Sequence, residues 1–205
     1  MVLACRRLWE AGLVAGQDGN VSVRVAPDRL LVTPAGRLKR ELSADELVEV
    51  DLDGRHLAGR GRATSELDLH LRVHRARADV GAVVHAHPPT ATAFAAAGVP
   101  LDADVLPEVI LLMGRVPTVP YATPGTPALG DLAAPFIPGH EALLLANHGA
   151  VAWGRDLDHA RLRMESLEHA ARILLAARLL GGPRPLDAAA IAALDARRLA
   201  AAAPA

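Results

Sequence analysis

The 205-residue sequence predicts one α/β domain in which strands and helices are interleaved along the chain. Short apolar strands bounded by turn residues alternate with segments of helical period, and the connections between them are short. No internal repeat or linker divides the chain, and a chain of this length suits a single core. Residues 1–205 are therefore predicted to form a single domain, with an alanine-rich helix from about residue 187 at its C-terminal end.

The N-terminal half is predicted to contain two helices, a short third helix and two pairs of strands. Residues 2–15 have the period of a helix, and Ser65 is predicted to cap a second helix that runs from Glu66 to about residue 77. The strand pairs are predicted at residues 21–25 with 30–33, and at residues 48–52 with 56–58. Ser43 and Glu46, between the two pairs, have the spacing of a capping box for the short helix.

The C-terminal half is predicted to alternate between strands and helices. Strands are predicted at residues 80–87, 142–147 and 151–153, and helices at residues 89–97, 126–136, 156–180 and 187–203. Gly98 ends the first of these helices, and Asp156 can cap the longest one. Residues 106–120 are apolar but interrupted by prolines and a glycine, so they are predicted to form a loop with at most one strand.

The composition argues against several classes of function. The formal net charge is −1, aromatic residues make up 2% of the chain, and no basic tract is present, so nucleic acid is not an expected partner. No uncharged apolar run is long enough to predict a membrane span, and the N-terminal residues do not predict a signal peptide. Cys5 is the only cysteine, which excludes an intramolecular disulfide and is compatible with the cytoplasm. We therefore expect a cytoplasmic protein.

The predicted strand at residues 80–87 ends on two histidines. Side chains two apart on a strand leave the same face, so His85 and His87 are expected to project together. The alternate residues are expected to face the opposite layer; these are Val80, Ala82, Val84 and Ala86. Two neighbouring imidazoles at the end of a core strand are half of a metal site.

A third candidate ligand, His148, follows the apolar strand predicted at residues 142–147 and precedes a glycine. Together, the three histidines have the pattern of a metal site with one open coordination position. The alternative is that each is an ordinary hydrogen-bonded histidine at a strand end. The spacing of the residues does not decide between the two interpretations.

Several short motifs resemble those of the class II aldolase/adducin family, in the family's order and at compatible spacing. They are Gly19-Asn20-Val21-Ser22, Thr33-Pro34-Ala35-Gly36, Thr64-Ser65-Glu66, His85-Ala86-His87, the segment from Pro120 to Thr126, and Asn147-His148-Gly149. The resemblance extends from Gly19 to about residue 180. It implies a three-layer α/β/α sandwich around a mostly antiparallel sheet. It also implies a homotetramer with active sites at the subunit interfaces.

The resemblance implies that His85, His87 and His148 bind a divalent metal, usually Zn²⁺. The implied activity is that of a metal-dependent, aldolase-type lyase, which cleaves a phosphorylated ketose such as L-fuculose 1-phosphate through an enediolate. The family also contains decarboxylases, an epimerase and a dehydratase of related sugar phosphates, and the non-catalytic adducins. These remain alternative functions for the chain.

Further roles follow from the resemblance. Glu66 would be the catalytic base; otherwise it is an ordinary acid in the first turn of a helix, favoured by the helix dipole. The substrate phosphate would be bound by Asn20, Gly36, Thr64 and Ser65. The alternative for these four residues is turn and cap chemistry. Ala35 stands where the family often has serine or threonine, so one hydroxyl donor is missing.

The resemblance also implies a tyrosine, contributed by a neighbouring subunit, that protonates the departing oxygen. Residues 98–113, where it is expected, contain no tyrosine, and ungapped counting from His85 places Leu106 near its position. Tyr121 is the only tyrosine of the chain and is a candidate proton donor; the alternative is a structural anchor of its loop. His70 and His74 have a spacing compatible with metal binding, but the resemblance places no ligands there. The other histidines are expected at the surface or at caps; they are His56, His140, His159 and His169.

Overall fold

One eight-stranded sheet runs through the computed structural model, which describes residues 1–101 and 104–202. The strands are β1 Asn20–Ala26, β2 Arg29–Val32, β3 Val48–Asp51, β4 His56–Ala58, β5 Ala82–Ala86, β6 Thr118–Val119, β7 Ala142–Leu145 and β8 Gly149–Gly154. Their order across the sheet is β4-β3-β2-β1-β5-β8-β7-β6. All neighbouring pairs are antiparallel except β6 with β7. The mostly antiparallel sheet is therefore confirmed.

Helices cover both faces of the sheet. They are α1 Val2–Glu10, α2 Leu67–Ala76, α3 Pro89–Ala97, α4 Pro107–Met113, α5 Pro127–Ala133, α6 Leu157–Leu179 and α7 Ala188–Ala202, with short 3₁₀ helices at Ala44–Glu46 and Ile137–Gly139. Buried residues of α1, α3, α4 and α6 share one core with β5, while α2 and α5 share the core on the opposite face. The helix α7 packs against α4. This arrangement is the expected three-layer sandwich. Residue 203, the predicted end of α7, lies outside the described residues.

The central strand β5 shows how the sequence builds these layers. Ala82, Val84 and Ala86 are buried on the side of α6, and Val83 is buried on the side of α2, because successive side chains of a strand leave opposite faces. The prediction for Val80 was wrong. Val80 lies two residues before β5 and packs in the same core as Val83, since strand alternation does not extend across the intervening Gly81.

Several predicted boundaries differ from the structure. The helix α1 ends at Glu10 instead of residue 15, because Gly12 has a φ of +70° and turns the chain. Helix α2 has Glu66, not Ser65, as its N-cap residue, and Ser65 lies in the preceding turn. Residues 62–64 are hydrogen-bonded to residues 33–35, which directly follow β2, so the helix cannot begin before that contact ends. The strand β7 ends at Leu145, before the residues predicted as its end.

The helix α4 was missed by the sequence analysis, which predicted a loop. Pro107 lies in the first turn of this helix, where no backbone N–H is needed, and Gly114 follows its last residue. Val109, Ile110 and Met113 are buried at helical spacing. Prolines therefore bound this helix rather than interrupt it. The single strand expected in the segment is β6.

Two capping interactions are as predicted. The Glu46 carboxylate accepts a hydrogen bond from the Ser43 N–H at 2.9 Å, which forms half of the capping box. Asp156 accepts one from the His159 N–H at 2.7 Å at the start of α6. Such contacts replace partners that the first helical N–H groups lack.

No helix of the described ranges combines the length and the apolar character that crossing a membrane requires.

A buried carboxylate on α6 caps α3, the helix that follows His87. Glu168 is 3% exposed and accepts hydrogen bonds from the backbone N–H groups of Thr90, at 2.9 Å, and Ala91, at 3.0 Å. Arg172 donates to the same carboxylate at 2.7 Å. A carboxylate at the positive end of a helix is favoured both by the hydrogen bonds and by the dipole. This contact therefore fixes α3 to α6.

We expect Glu168→Ala to lower the free energy of unfolding by about 1–3 kcal/mol, because it leaves buried N–H groups without partners. Arg172→Ala is the matched control. Its side chain is 58% exposed, so its removal is expected to cost less than about 1 kcal/mol. Urea unfolding of the three proteins measures both values. Equal, small losses in the two variants would show that the cap contributes little.

Candidate active site

Three strands and one turn bring the predicted metal ligands together. His85 is fully buried in β5, and His87 follows the end of that strand. His148 lies in the tight turn between β7 and β8, next to Asn147, which has a φ of +56°. Asparagine is one of the few residues that adopt this conformation readily. The ring centroids of the three histidines are 4.7–5.0 Å apart, and one nitrogen from each ring lies within 4.8 Å of the others.

Two glycines allow the surrounding backbone to approach this cluster. A Cβ atom at Gly149 would lie 2.6 Å from both the Ala86 carbonyl oxygen and Cδ2 of His87. At Gly19, which has a φ of +70°, it would lie 2.8 Å from the carbonyl oxygen of His85. Any other residue would displace the strand end that carries the histidines.

The hydrogen bonds of the cluster fit a bound cation. Nδ1 of His85 lies 2.9 Å from the carbonyl oxygen of Ala150 and therefore carries the proton, which leaves a lone pair on Nε2 of the neutral ring. This Nε2 lies 3.1 Å from Nε2 of His87 and 3.1 Å from Oε2 of Glu66. Oε1 of Glu66 is 3.4 Å from Nε2 of His148, and within the described residues it is buried without a hydrogen-bond partner. A divalent metal bound by the three imidazoles would satisfy these converging acceptors.

The charge states agree with this assignment. Burial lowers the pKa of His148 to about 4, with a further contribution from His85. Burial and His85 also lower the pKa of His87. Both rings are therefore neutral near pH 7, as metal ligands must be. Burial alone would raise the pKa of Glu66, but the electrostatic attraction of the His85 site, where a cation would lie, and a hydrogen bond from Asn20 hold this pKa below its ordinary value. Glu66 is therefore ionised.

Asp18 is a site residue that the sequence analysis missed. Its Oδ2 lies 3.5 Å from Nδ1 of His87, on the side of the ring away from His85. A carboxylate in this position orients a ligating imidazole. The only available signal was its position in the helix-breaking segment directly before Gly19-Asn20.

The residues predicted to bind phosphate surround one cavity of about 180 Å³ beside the histidines. Hydrogen bonds from the Ala35 N–H to the Arg62 carbonyl and from the Thr64 N–H to the Thr33 carbonyl hold the two loops side by side. The lining residues are Gln17, Asp18, Gly19, Asn20, Pro34, Ala35, Gly36, Lys39, Thr64, Ser65, Glu66 and His87. All four residues predicted for phosphate binding, together with Glu66, are therefore adjacent to the cluster of three histidines.

Lys39 is a second residue of this cavity that the sequence analysis did not assign. It is 4% exposed, and its Nζ donates to the carbonyl oxygens of Gln17 and Arg37 at 2.9 Å each. Burial lowers its pKa from the ordinary value. The signal was present in the composition, because Lys39 is the only lysine in a chain whose other basic residues are arginines.

Comparisons with known proteins agree with the fold and the site. Residues 1–175 match the family model of the class II aldolase and adducin N-terminal domain. The chain is 33% identical over 171 residues to an L-fuculose phosphate aldolase of Methanocaldococcus jannaschii, which covers 83% of this chain and 91% of that protein. The chain belongs to the class II aldolase and adducin family.

Two further known proteins are similar to this chain. A 3-oxo-tetronate 4-phosphate decarboxylase of Pectobacterium atrosepticum is 34% identical over 178 residues, which are 85% of this chain and 81% of that protein. A solved structure of an L-fuculose 1-phosphate aldolase is 31% identical and superposes with a TM-score of 0.89 over 96% of this chain and 92% of that one. The class II aldolase fold is therefore confirmed. The relatives include both aldolases and decarboxylases.

The remaining candidates lie outside the cavity. Tyr121 lies in the loop between β6 and α5, is 58% exposed and is not among the residues that line the cavity. Its role as a proton donor stays a prediction. His70 and His74 are buried behind Glu66 and do not belong to the cluster formed by His85, His87 and His148. The other histidines are exposed or half-buried, in keeping with the sequence analysis; they are His56, His140, His159 and His169.

We expect purified protein to contain about one divalent metal ion per chain, and His148→Ala to lose most of it because one of three ligands is removed. His169→Ala is the control, since that residue is exposed and distant in sequence from the cluster. Elemental analysis of protein purified without chelator gives the stoichiometry, with circular dichroism as a check on folding. Metal-free wild-type protein, or full metal content in folded His148→Ala, would contradict the assignment.

Proposed function

We propose that this protein is a metal-dependent, aldolase-type lyase that cleaves a phosphorylated ketose such as L-fuculose 1-phosphate through an enediolate. The observation that carries the proposal is the position of Glu66. Its ionised carboxylate lies 3.1 and 3.4 Å from two of three clustered histidines, at the edge of a cavity lined by backbone amides, hydroxyls and one lysine. A carboxylate, a cation site and an anion site in contact are what this reaction needs.

The chemistry assigns a separate task to each part. Cleavage breaks the C3–C4 bond of the ketose, leaves its electron pair on C3 and releases an aldehyde. A bound divalent cation would stabilise the negative charge of the enediolate by roughly several kcal/mol. Glu66 would carry the proton that C3 gains in cleavage and loses in the reverse condensation. Its burial beside the cluster supports this role, because a base there would lie close to a ketose bound at the cation site.

The phosphate would lie at the opposite side of the cavity. Gly36, Thr64 and Ser65 offer amides and hydroxyls there, and the start of α2 adds a favourable dipole. Asn20 uses one amide N–H on Glu66 and retains a second. Ala35 offers no hydroxyl, but Lys39 has three N–H groups, of which two are used on carbonyls. We assign the third to the phosphate.

Decarboxylation of a phosphorylated 3-oxo acid is the second candidate function. Loss of CO₂ leaves an enolate of the same kind, and Glu66 could relay to it a proton taken from solvent. No group is then needed at the oxygen of a leaving aldehyde. The absence of tyrosine from residues 98–113 favours this alternative, because only Tyr121 is left to serve an aldehyde.

Other properties are predictions from the family. We propose Zn²⁺ as the metal because imidazole ligands with an open position suit it. A homotetramer, a cytoplasmic location and the organisation of residues 1–205 as a single domain remain expectations. An epimerase or dehydratase would use the same groups. A purely adducin-like binding role is disfavoured, since it gives no reason for Glu66 to lie buried against two of the three clustered histidines.

The test is to measure kcat/KM for metal-loaded protein with ketose 1-phosphates and with phosphorylated 3-oxo acids. We expect C–C bond cleavage, with weaker activity on L-fuculose 1-phosphate than on another phosphorylated sugar because the tyrosine is missing. Glu66→Gln should lower kcat by about 10²- to 10⁴-fold, since it removes the base and keeps the size of the side chain. Tyr121→Phe tests the candidate proton donor.

If Glu66→Gln turns over at the wild-type rate, Glu66 has only a structural role. If L-fuculose 1-phosphate is the best substrate by a wide margin, the missing tyrosine is unimportant. Cleavage of 3-oxo acids alone would assign the decarboxylase function.

Lys39→Met is expected to raise KM for the phosphorylated substrate by about 10- to 100-fold, because a charge-assisted hydrogen bond is lost. Arg40→Met is the matched control, since it removes a neighbouring positive charge from an exposed side chain. Inhibition by inorganic phosphate should weaken in parallel for Lys39→Met only. Equal KM values in the two variants would exclude Lys39 from the phosphate site.

A further inference from the structure

A chain of buried polar side chains lies behind Glu66, on the side away from the cavity. Nδ2 of Asn20 donates to Oε2 of Glu66 at 2.8 Å, and Oδ1 of the same amide lies 2.6 Å from Nε2 of His70. Oγ of Ser22 lies 2.7 Å from Nδ1 of His70 and 2.9 Å from Nε2 of His74. The chain thus contains four unbroken hydrogen bonds from His74 to the carboxylate.

The periodicities of one strand and one helix produce this chain. Asn20 and Ser22 are two apart on β1, so their side chains leave the same face. His70 and His74 lie four and eight residues after Glu66, the N-cap residue of α2, so the three side chains form one stripe along the helix. The strand stripe and the helix stripe face each other. At the outer end of the hydrogen-bond chain lies Arg24, the next residue of the strand stripe. Its guanidinium donates to the carbonyl oxygen of His74.

The chemistry of the partners fixes the direction of every proton. An ionised carboxylate only accepts, so the amide nitrogen of Asn20 must face Glu66, and its oxygen must accept from His70. The Nε2 of His70 then carries the proton, and its Nδ1 must accept from the Ser22 hydroxyl. That hydroxyl oxygen in turn accepts from Nε2–H of His74. Each donor therefore points toward the active site.

The two histidines can support this order only if they are neutral. Burial lowers the pKa of His70 to about 3, with smaller contributions from His74 and His85, and burial with Arg24 lowers the pKa of His74 to about 4. Ser22 and His70 are fully buried, and His74 is 1% exposed. Water therefore does not compete for these hydrogen bonds.

We propose that Ser22, His70 and His74 are positioning residues, whose one-directional hydrogen-bond chain locks the amide of Asn20 and, through it, the carboxylate of Glu66 against the metal site. The inference rests on the proposed function, in which Glu66 moves protons. Without the chain, the amide could rotate and present its oxygen to the carboxylate, which would repel Glu66 from its place. None of the three residues touches the cavity.

The test compares two variants that break the hydrogen-bond chain with one variant that keeps a donor to Asn20. Ser22→Ala removes a single oxygen, and His70→Leu removes the donor to Asn20. We expect kcat on the best substrate to fall by about 10- to 100-fold in both, the range typical of outer partners of a metal site. KM should change by less than about threefold, with one metal ion still bound per chain. His70→Gln, which offers an N–H near the position of Nε2, should recover most of the loss.

Val73→Ala is the structural control, because Val73 is buried between the two histidines on α2 but lies in the apolar core. It should lower the midpoint of thermal unfolding without lowering kcat. The proposal is overturned if kcat of folded, metal-loaded Ser22→Ala stays within twofold of the wild type. It is also overturned if KM alone rises, or if His70→Gln and His70→Leu lose equal activity.

Two measurements do not depend on turnover and so separate this proposal from the proposed function. Nitrogen-15 NMR of histidine-labelled protein should show His70 and His74 as neutral rings protonated on Nε2, with assignments from His70→Gln and His74→Gln. The visible spectrum of Co²⁺-loaded protein should differ between the wild type and Ser22→Ala, and should be unchanged in Val73→Ala. A proton on Nδ1 of His70, or identical spectra, would contradict the proposed hydrogen-bond chain even if the enzyme cleaves its substrate. If both measurements give the expected results but no substrate is cleaved, only the proposed function is overturned.

Discussion

The antiparallel pairing of β1 with β5 is the constraint on which the site depends. Its register places Asn20 directly opposite His85 and Ser22 opposite Val83. A shift of one residue would turn Asn20 and Ser22 to the other face of the sheet, into the apolar core formed with α6. The apolar residues of both strands fix this register, because they must remain buried. The positions of polar groups in the active site are therefore set by the packing of apolar ones.

Charge balance is the second constraint. Glu66 is 8% exposed, and an ionised carboxylate at that depth is tolerated only with compensating partners. Asn20 supplies a hydrogen bond, and the cluster of neutral histidines supplies a site for a cation. A metal held by these histidines would therefore also favour the ionised form of Glu66. The buried carboxylate needs a nearby cation, and a cation bound by neutral ligands needs a nearby negative charge. The two parts of the site therefore depend on each other.

The helix α2 connects the core to the chemistry. Leu69 and Val73 on one side of it pack into the core beneath the sheet, while Glu66, His70 and His74 on another side face β1. Apolar burial therefore determines how closely the polar stripe approaches the strand. Rigid elements of this kind hold a base more accurately than a loop would.

The sequence by itself determined the classes of element and the nature of the site. Alternating strands and helices predicted one α/β domain, and two strand ends nominated His85, His87 and His148 as metal ligands. The sandwich and the role of Glu66 were implied by the resemblance of several short motifs to the family. These features are local, because strand alternation and motif spacing operate over a few residues. The helix α4 was missed even so, since proline is a boundary signal that does not distinguish a helix start from a loop.

Only the tertiary structure decided which distant residues meet. Asp18 and Lys39 join the site because loops far apart in sequence close around one cavity, and nothing in their local pattern encodes that closure. The spacing of His70 and His74 was visible in the sequence, but their partner, Ser22, lies about fifty residues away on another strand. Strand register and helix placement depend on the burial of the whole core. The hydrogen bonds that position Glu66 therefore follow from the fold rather than from any local segment.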